Sequence, residues 1–438
     1  MNNDARNLSL QILKHFDVSK KQLSIIQNNF FLSGNYTFSA KSRAKVLTNE
    51  IIRYRGRIDY LIEQISGRKN KNFNKDLISI LRIAFYEILY ENSIPDYASV
   101  NTAVELTKKK INKKAGGLCN AVLRNLIRKK EKKIDWDKEF KKNKKWNSFP
   151  LWLQQRWSKN YKNNIFKKLV NSFNKSPKIF VRNDTNLTNE VLKENFLSDG
   201  IDSSIFDNSF LKITKGSKSI IEHHLFKSGQ ISIQDPSSYG IIECLDVKKE
   251  DIILDVCAAP GTKSLALSYL VGERGKVFSS DINKSRIDLG IKDIKRHKRK
   301  NIFWSVKDAS KDIFPFADKI LIDAPCSGTG VLRRKPDIRW RRTEKEIEVF
   351  SKLQLKILCH MSEFLNKGGV IVYGTCSIDI VENWNVVQQF LKIKKNFKLI
   401  ELPEKINKNL VDLNKCFSTL SEIDKVDGMF AARIKKYD

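Results

Sequence analysis

DIILDVCAAPGTKS, Asp251 to Ser264, begins as an apolar run of strand length and ends in a glycine followed by a helix-compatible sequence. The glycine lets the backbone turn and approach a ligand closely, and the helix start beyond it offers unpaired N–H groups to a carboxylate or phosphate. The spacing is neither that of the nucleotide-triphosphate loop nor a GxGxxG fingerprint. Six further short apolar runs alternate with helix-compatible stretches between residue 231 and the C-terminus: GKVFSSD from Gly275, NIFWSVKD from Asn301, KILIDAP from Lys319, GGVIVYGTC from Gly368, FKLIEL from Phe397 and MFAARIKK from Met429. This alternation predicts a parallel, doubly wound α/β sheet of seven strands.

Open sheets of this kind bind ligands beyond the carboxyl ends of their strands. Asp281 closes the second run, where a carboxylate accepts hydrogen bonds from ribose hydroxyls; Asp308 closes the third, where it can meet an adenine edge. Each alone could simply cap the next helix. Together with the Asp255–Ser264 loop they outline a site for an adenosine-containing cofactor. Two later runs each end in a cysteine, Cys326 in ILIDAPCSGTG and Cys376 in VIVYGTCSIDI. A lone strand-end cysteine is more often a small buried hydrophobe than a nucleophile. Two of them beside carboxylate- and glycine-bearing strand ends point to covalent chemistry.

The remaining composition narrows the partner. The chain has 438 residues, 41% hydrophobic, with 81 Lys and Arg against 49 acids and a net charge of +32, a field that attracts polyanions. A nucleic acid is the expected partner. Seven scattered cysteines do not resemble a disulfide framework, and MNNDARNLSLQ lacks the basic-then-apolar layout of a secretory signal. Without an apolar run of membrane-spanning length, the expectation is a cytoplasmic protein with reduced thiols. No CxxC pair occurs, and the five histidines lack ligand spacing, so no metal is expected; His223 and His224 are neighbours in a polar turn, and His360 is left to packing.

From Ala5 to about Lys130 the pattern is helical, with Leu77, Leu81, Ala84 and Ile88 on one stripe of LISILRIAFYEILY. Between Asn101 and Pro150 there are 16 Lys or Arg against 5 acids. The expected domains are 1–145, a helical bundle; 146–230, a small α+β module; and 231–438, the α/β domain.

DVCAAPGTKS, SSDINKSR, DAPCSGTG, YGTCS and DGMFAARIKK together resemble the motif series of the Nop2/Sun family, S-adenosylmethionine-dependent RNA cytosine-5 methyltransferases. LRIAFYEILY, IPDYASVNTAVEL and GGLCNAVLRNLIR resemble the NusB-like RNA-binding domain, and that combination, through VRNDTN and SIQDPSS, resembles the ribosomal branch of the family. The resemblance implies a multidomain chain: an all-helical NusB-like domain, a small α+β module and a Rossmann-like class I methyltransferase domain. It departs from the family at Thr262, where a second glycine is usual, and at Trp384 after TCSIDIVEN.

Carried over position by position, the resemblance implies that S-adenosylmethionine is held by Cys257, Ala258, Ala259, Pro260, Gly261, Thr262, Lys263, Asp281 at the ribose, Arg286, Asp308 at the adenine and Asp323. Asp235 to Ser238 would help to close the site. Arg182, Arg333, Arg334, Lys335 and Arg339 would contact RNA, the last four beside Trp340, Arg341 and Arg342 at the pocket mouth, unless this is a solvated basic loop. Cytosine carbon 5 is too weakly nucleophilic to be methylated directly, so a thiolate must first add to carbon 6, assisted by Asp323 at N3. Chemistry alone leaves open which cysteine attacks. The resemblance assigns attack to Cys376 and release to Cys326. It implies cytosine 967 of small-subunit ribosomal RNA as the target, in a monomer that needs no protein partner. A transfer RNA cytosine-5 methyltransferase shares the catalytic motifs, and a noncatalytic RNA-binding or assembly protein would share the charge.

Overall fold

A computed structural model describes residues 4–423 and 425–437; the first three residues of the MNNDARNLSLQ stretch lie outside them. It divides into two compact units, Met1–Asn174 with Arg334–Arg342, and Lys175–Arg333 with Thr343–Asp438.

The first unit is helical. Its central helix, Lys75–Tyr90, starts where the Asn74 side chain accepts hydrogen bonds from the Asp76 and Leu77 amides. Every residue from Leu77 to Ile88 is buried, so the predicted stripe is one side of a helix enclosed all round. Its two buried charges are paired: Arg82 donates to Asp59 at 2.7 Å and to Asp17 at 2.8 Å, and Glu87 accepts from Arg6 at 2.9 Å. The unit continues past the expected boundary at 145. Helices Leu151–Asn160 and Asn163–Phe173 belong to it, with Gln154 donating to Phe149 O at 2.7 Å and Asn174 to Asn147 O at 2.9 Å.

The inserted segment Arg334–Arg342 is bound into this unit by its cations. Helices Phe38–Arg53 and Asn163–Phe173 end with carbonyls that have no partner within their own helix. Arg339, 0% exposed, donates to Arg53 O at 3.0 Å, Phe173 O at 2.8 Å, Ser148 O at 3.2 Å and Asn174 Oδ1 at 2.7 Å. Trp340 donates to Ile52 O at 2.9 Å, and Asp337 accepts from the Leu23 amide at 3.0 Å, at the start of helix Leu23–Ser33.

The second unit opens with the expected small module. Strands β1 (Ile179–Asn183), β2 (Ser203–Ile205), β3 (Phe210–Ile213) and β4 (Ile231–Ile233) form an antiparallel sheet in the order β2-β3-β1-β4. Helix Asn189–Ser198 packs Leu192 and Phe196 against Val181, Leu211 and Ile231. Because β4 pairs with β1, the module runs past residue 230.

All seven expected strands of the larger sheet are present: β5 (Ile252–Val256), β6 (Lys276–Asp281), β7 (Ile302–Val306), β8 (Ala317–Asp323), β9 (Leu365–Thr375), β10 (Phe397–Leu399) and β12 (Phe430–Lys436). The two-residue β11 (Phe417–Ser418) pairs with β12. The order is β10-β12-β9-β8-β5-β6-β7. The sheet is mixed rather than wholly parallel, since β12 runs antiparallel to both β9 and β10. The chain proceeds from β5 outward through β6 and β7, then crosses back to β8 on the other side of β5. That reversal opens a crevice at the carboxyl ends of β5 and β8.

Candidate active site

The crevice is built from the β5–helix turn. Cys257 has φ 61° and Gly261 φ 99°, so the chain doubles back tightly before helix Thr262–Val271. The Ala258 amide donates to Ser280 O at 2.8 Å and the Ala259 amide to Asp281 Oδ2 at 3.1 Å, which ties the turn to the end of β6. Gly261 is required twice over: its φ suits glycine, and a Cβ there would lie 2.8 Å from the Trp304 ring of β7. The sequence reading found Gly261 but neither Trp304 nor Gly290, where a Cβ would stand 2.6 Å from Pro260 O.

Around this turn the expected acidic residues gather. Asp281, buried, also accepts from the Asn283 amide at 2.9 Å and lies 3.3 Å from Arg286 Nη1; Arg286 in turn donates to Ala259 O. Asp308 stands two residues beyond Val306, the β7 partner of Asp281. The Ser310 amide donates to it at 2.9 Å, and that hydrogen bond holds its carboxyl below the usual range. Lys263, in the first turn of the helix, reaches Asp323 at the end of β8 at 2.8 Å. Burial opposes the Lys263 charge, but Asp323, then Asp255 and Cys376, hold its ammonium above the ordinary value.

Asp255, on β5 and 0% exposed, was not singled out from sequence. Its Oδ2 accepts from Ser264 at 2.6 Å, its Oδ1 has no hydrogen-bond partner, and burial pushes its carboxyl up to about 7. The signal was present as an aspartate within an apolar strand.

The two cysteines meet because β8 and β9 are parallel neighbours with Asp323 opposite Gly374. Cys326 follows that register point by three residues and Cys376 by two, and their sulfurs are 3.1 Å apart. The Cys376 sulfur, then burial, raises the Cys326 thiol well above its ordinary value. Cys119, Cys244 and Cys416 are buried among core side chains.

Several expected contacts are placed elsewhere. Arg339 is fully buried within the helical unit, where the partly buried Arg341 donates to Phe16 O at 2.8 Å and the partly buried Trp340 donates its indole N–H to Ile52 O. Carbonyls at helix ends took up cations that the sequence presented as a basic loop. Arg182 is likewise buried, donating to Asp184 at 2.6 Å and to Gln234, which makes it a structural member of the small module rather than an RNA contact. Arg333 is buried 3.6 Å from Asp427. Arg334 is half-buried and Lys335 exposed. Asp235 caps its own helix, accepting from the Ser237 amide at 3.0 Å, and also accepts from the Asp427 amide at 3.2 Å.

Asp199, His223 and His224 bring one ligand atom each within 4.8 Å of one another. His223 Nδ1, however, accepts from the Leu225 amide at 3.2 Å, which puts the ring proton on Nε2, 3.1 Å from Asp199. Nε2 then has no lone pair for a metal. Among the described residues no helix is long and apolar enough to cross a membrane.

Residues 242–435 match the family model described as 16S rRNA methyltransferase RsmB/F, and residues 3–128 match that of the NusB family. A ribosomal RNA small subunit methyltransferase B from Photorhabdus laumondii is 30% identical over 92% of each chain. A probable ribosomal RNA small subunit methyltransferase B from Bacillus subtilis is 28% identical over 98% of each. Among solved structures, PH0851 superposes with a TM-score of 0.77 at 24% identity over 100% of both chains. NSun6 from Pyrococcus horikoshii superposes with a TM-score of 0.59 at 21% identity, over 66% of this chain and 99% of that one.

Proposed function

This chain belongs to the RsmB family of 16S rRNA methyltransferases, and from that premise we propose that it methylates carbon 5 of a cytosine in small-subunit ribosomal RNA, cytosine 967, through a covalent Cys376 adduct at carbon 6. It is an S-adenosylmethionine-dependent methyltransferase. The observation that carries the covalent reading is the 3.1 Å approach of Cys326 and Cys376 beside the Lys263–Asp323 pair.

The crevice suits the cofactor. Carboxylates at the ends of neighbouring strands, Asp281 for ribose hydroxyls and Asp308 for the adenine edge, lie beside a helix start whose amides can receive a carboxylate. The turn from Cys257 through Ala258, Ala259, Pro260 and Gly261 to Thr262 and Lys263 would hold the methionine part. Thr262 opens the helix and so supplies backbone there without needing a second glycine. Arg286, engaged by Asp281 and the Ala259 carbonyl, orients this turn. When bound, the cofactor supplies an electrophilic methyl group.

The chain's own residues make carbon 5 reactive. Cys376 adds to carbon 6 as a thiolate, with the positive charge of Lys263 favouring that form. Asp323, held by Lys263 at 2.8 Å, would meet the cytosine N3–N4 edge by hydrogen bonding and so favour the adduct. Cys326 remains a thiol during attack, because the neighbouring sulfur opposes its ionisation. Once Cys376 is a thioether that opposition is gone. Cys326, once its own proton has passed to solvent, can then take the carbon 5 proton; the electron pair of that carbon–hydrogen bond re-forms the carbon 5–carbon 6 double bond, and the carbon 6–sulfur bond breaks to release Cys376 as a thiolate. Arg334 and Lys335 are the proposed phosphate contacts of the basic segment.

Bisulfite sequencing of small-subunit and transfer RNA from cells with and without the gene tests the substrate. Loss of protection at one ribosomal cytosine is expected, and loss confined to transfer RNA would overturn that substrate. On denaturing gels with unmodified RNA and cofactor, Cys326→Ala should accumulate a protein–RNA band and Cys376→Ala should form none. A cross-link mapped to Cys326 would reverse their roles.

A further inference from the structure

The separation of the two sulfurs is not a consequence of the strands alone. Cys326 and Cys376 lie on loops beyond the ends of β8 and β9. Glu382, fully buried just before helix Trp384–Ile393, joins both loops with one carboxylate. It accepts from the Ser327 amide at 2.7 Å and from the Ser327 hydroxyl, immediately after Cys326. It also accepts from the Ser377 hydroxyl at 2.6 Å, immediately after Cys376. A fourth donor, Gln354, reaches it at 3.1 Å while holding Pro325 O at 2.9 Å on the other side of Cys326. Its neighbour Asn383 completes the clamp, donating to Ser377 O at 2.9 Å and accepting from Thr375 at 2.6 Å.

We infer that Glu382 is a positioning residue that fixes the two cysteines at reacting distance, so that the thiol that attacks and the thiol that aids release serve the same base. The inference rests on the two-cysteine reading of the site. A buried carboxylate is retained only where several donors meet it, and here every donor belongs to, or is bonded to, one of the two cysteine loops. Glu382 touches no reacting atom. Its effect is geometric, and a displacement of about 1 Å at a reacting centre costs on the order of 100-fold in rate.

Because serine hydroxyls both donate and accept, a glutamine amide can replace the carboxylate in almost the same network. Glu382→Ala should therefore lower kcat by about 100-fold with KM for RNA within about twofold, and Glu382→Gln should restore most of that loss. An independent readout uses phenylarsine oxide, which condenses with two adjacent thiols to a dithioarsinite with release of one water. The parent should bind one equivalent across Cys326 and Cys376, found by mass mapping in protein whose cofactor affinity is unchanged. Glu382→Ala should lose that bridge and Glu382→Gln should keep it. Should Glu382→Ala fail to fold, the Ser327→Ala, Ser377→Ala double variant removes both hydroxyl ties and should lose the bridge in the same way. Bridging undiminished by Glu382→Ala or by the double serine variant would overturn the inference, as would Glu382→Gln being as slow as Glu382→Ala. A parent enzyme that bridges the arsenical yet never forms an RNA adduct would instead refute the covalent reading and leave the geometric one standing.

Discussion

Asp255 is a carboxyl placed wholly inside the sheet with one oxygen lacking a hydrogen-bond partner. Its folded-state value near 7 lies above its ordinary 3.8, so the folded protein binds that proton more tightly than the unfolded chain. The resulting stability is fully present below the ordinary value and is lost as pH rises through about 7. Asp255→Asn removes this dependence. Urea unfolding of the cofactor-free protein should show the parent losing about 4 kcal/mol relative to the variant between pH 4 and 8, and equal slopes would contradict the assignment. Asp281 gives a second test at the same scale. Its carboxylate ties the Ala259 amide as well as offering acceptors to the cofactor, so Asp281→Ala should weaken S-adenosylmethionine binding by roughly 1.5–5 kcal/mol in calorimetric titration. Both aspartates end or interrupt apolar runs, but only Asp281 stands at a strand end, where function is legible from sequence. The burial of Asp255 depends on β6 and β8 lying on either side of it, and pairing partners are not written in the strand itself.

The loop after Cys326 and the segment before β12 cross at a pair of glycines. The Gly330 amide donates to Cys376 O at 2.9 Å, and the Gly428 amide to Gly330 O at 3.0 Å. A Cβ on Gly330 would lie 1.9 Å from Gly428 O and 3.0 Å from Cys376 O. Gly330→Ala must therefore push the two backbones apart, with an expected loss of about 1–3 kcal/mol in unfolding free energy. The same displacement should slow RNA adduct formation by Cys376 more than it weakens cofactor binding. Equal effects on both would mean that the crossing is merely structural. The closing motif DGMF could be recognised as a pattern, and β12 as a strand, but its function as a backstop for the Cys326 loop follows from β12 running antiparallel beside β9. The strand ends bearing Asp281, Asp308, Cys326 and Cys376 were readable because ligands gather at carboxyl ends. The clamp by Glu382 was not, since its donors come from three separate segments.

Across the whole chain, a net charge of +32 makes RNA affinity fall steeply with salt, but the individual cations are not interchangeable. Sequence shows how many guanidinium groups there are, not which ones helix-end carbonyls have claimed. Arg339→Ala removes a charged donor from four acceptors, of which Arg53 O keeps Ser148 Oγ at 2.7 Å and Phe173 O keeps Arg53 Nη1 at 3.4 Å, and should lower the stability of the helical unit by about 3 kcal/mol. Its salt slope for RNA binding, measured by filter binding, should match the parent's. Lys335→Ala, at an exposed cation, should leave stability within about 0.5 kcal/mol and reduce the salt slope by about one. Exchange of these two outcomes would return Arg339 to the RNA-contacting set.

The segment Arg334–Arg342 also sets an order of events during synthesis. A ribosome finishes the helices of the first unit at Asn174, yet the guanidinium that closes their carbonyl ends is not made until Arg339 emerges. At about 5–20 residues per second that interval is roughly 10–30 s. Throughout it the helical unit exists without its last component, while the small module and four strands of the large sheet, β5 to β8, come off the ribosome. The nascent chain thus carries a gap that only a later stretch of the same polypeptide can fill. A fragment ending at Asn174 reproduces that unfinished intermediate, and a peptide spanning Arg334–Arg342 added in trans should raise its melting temperature.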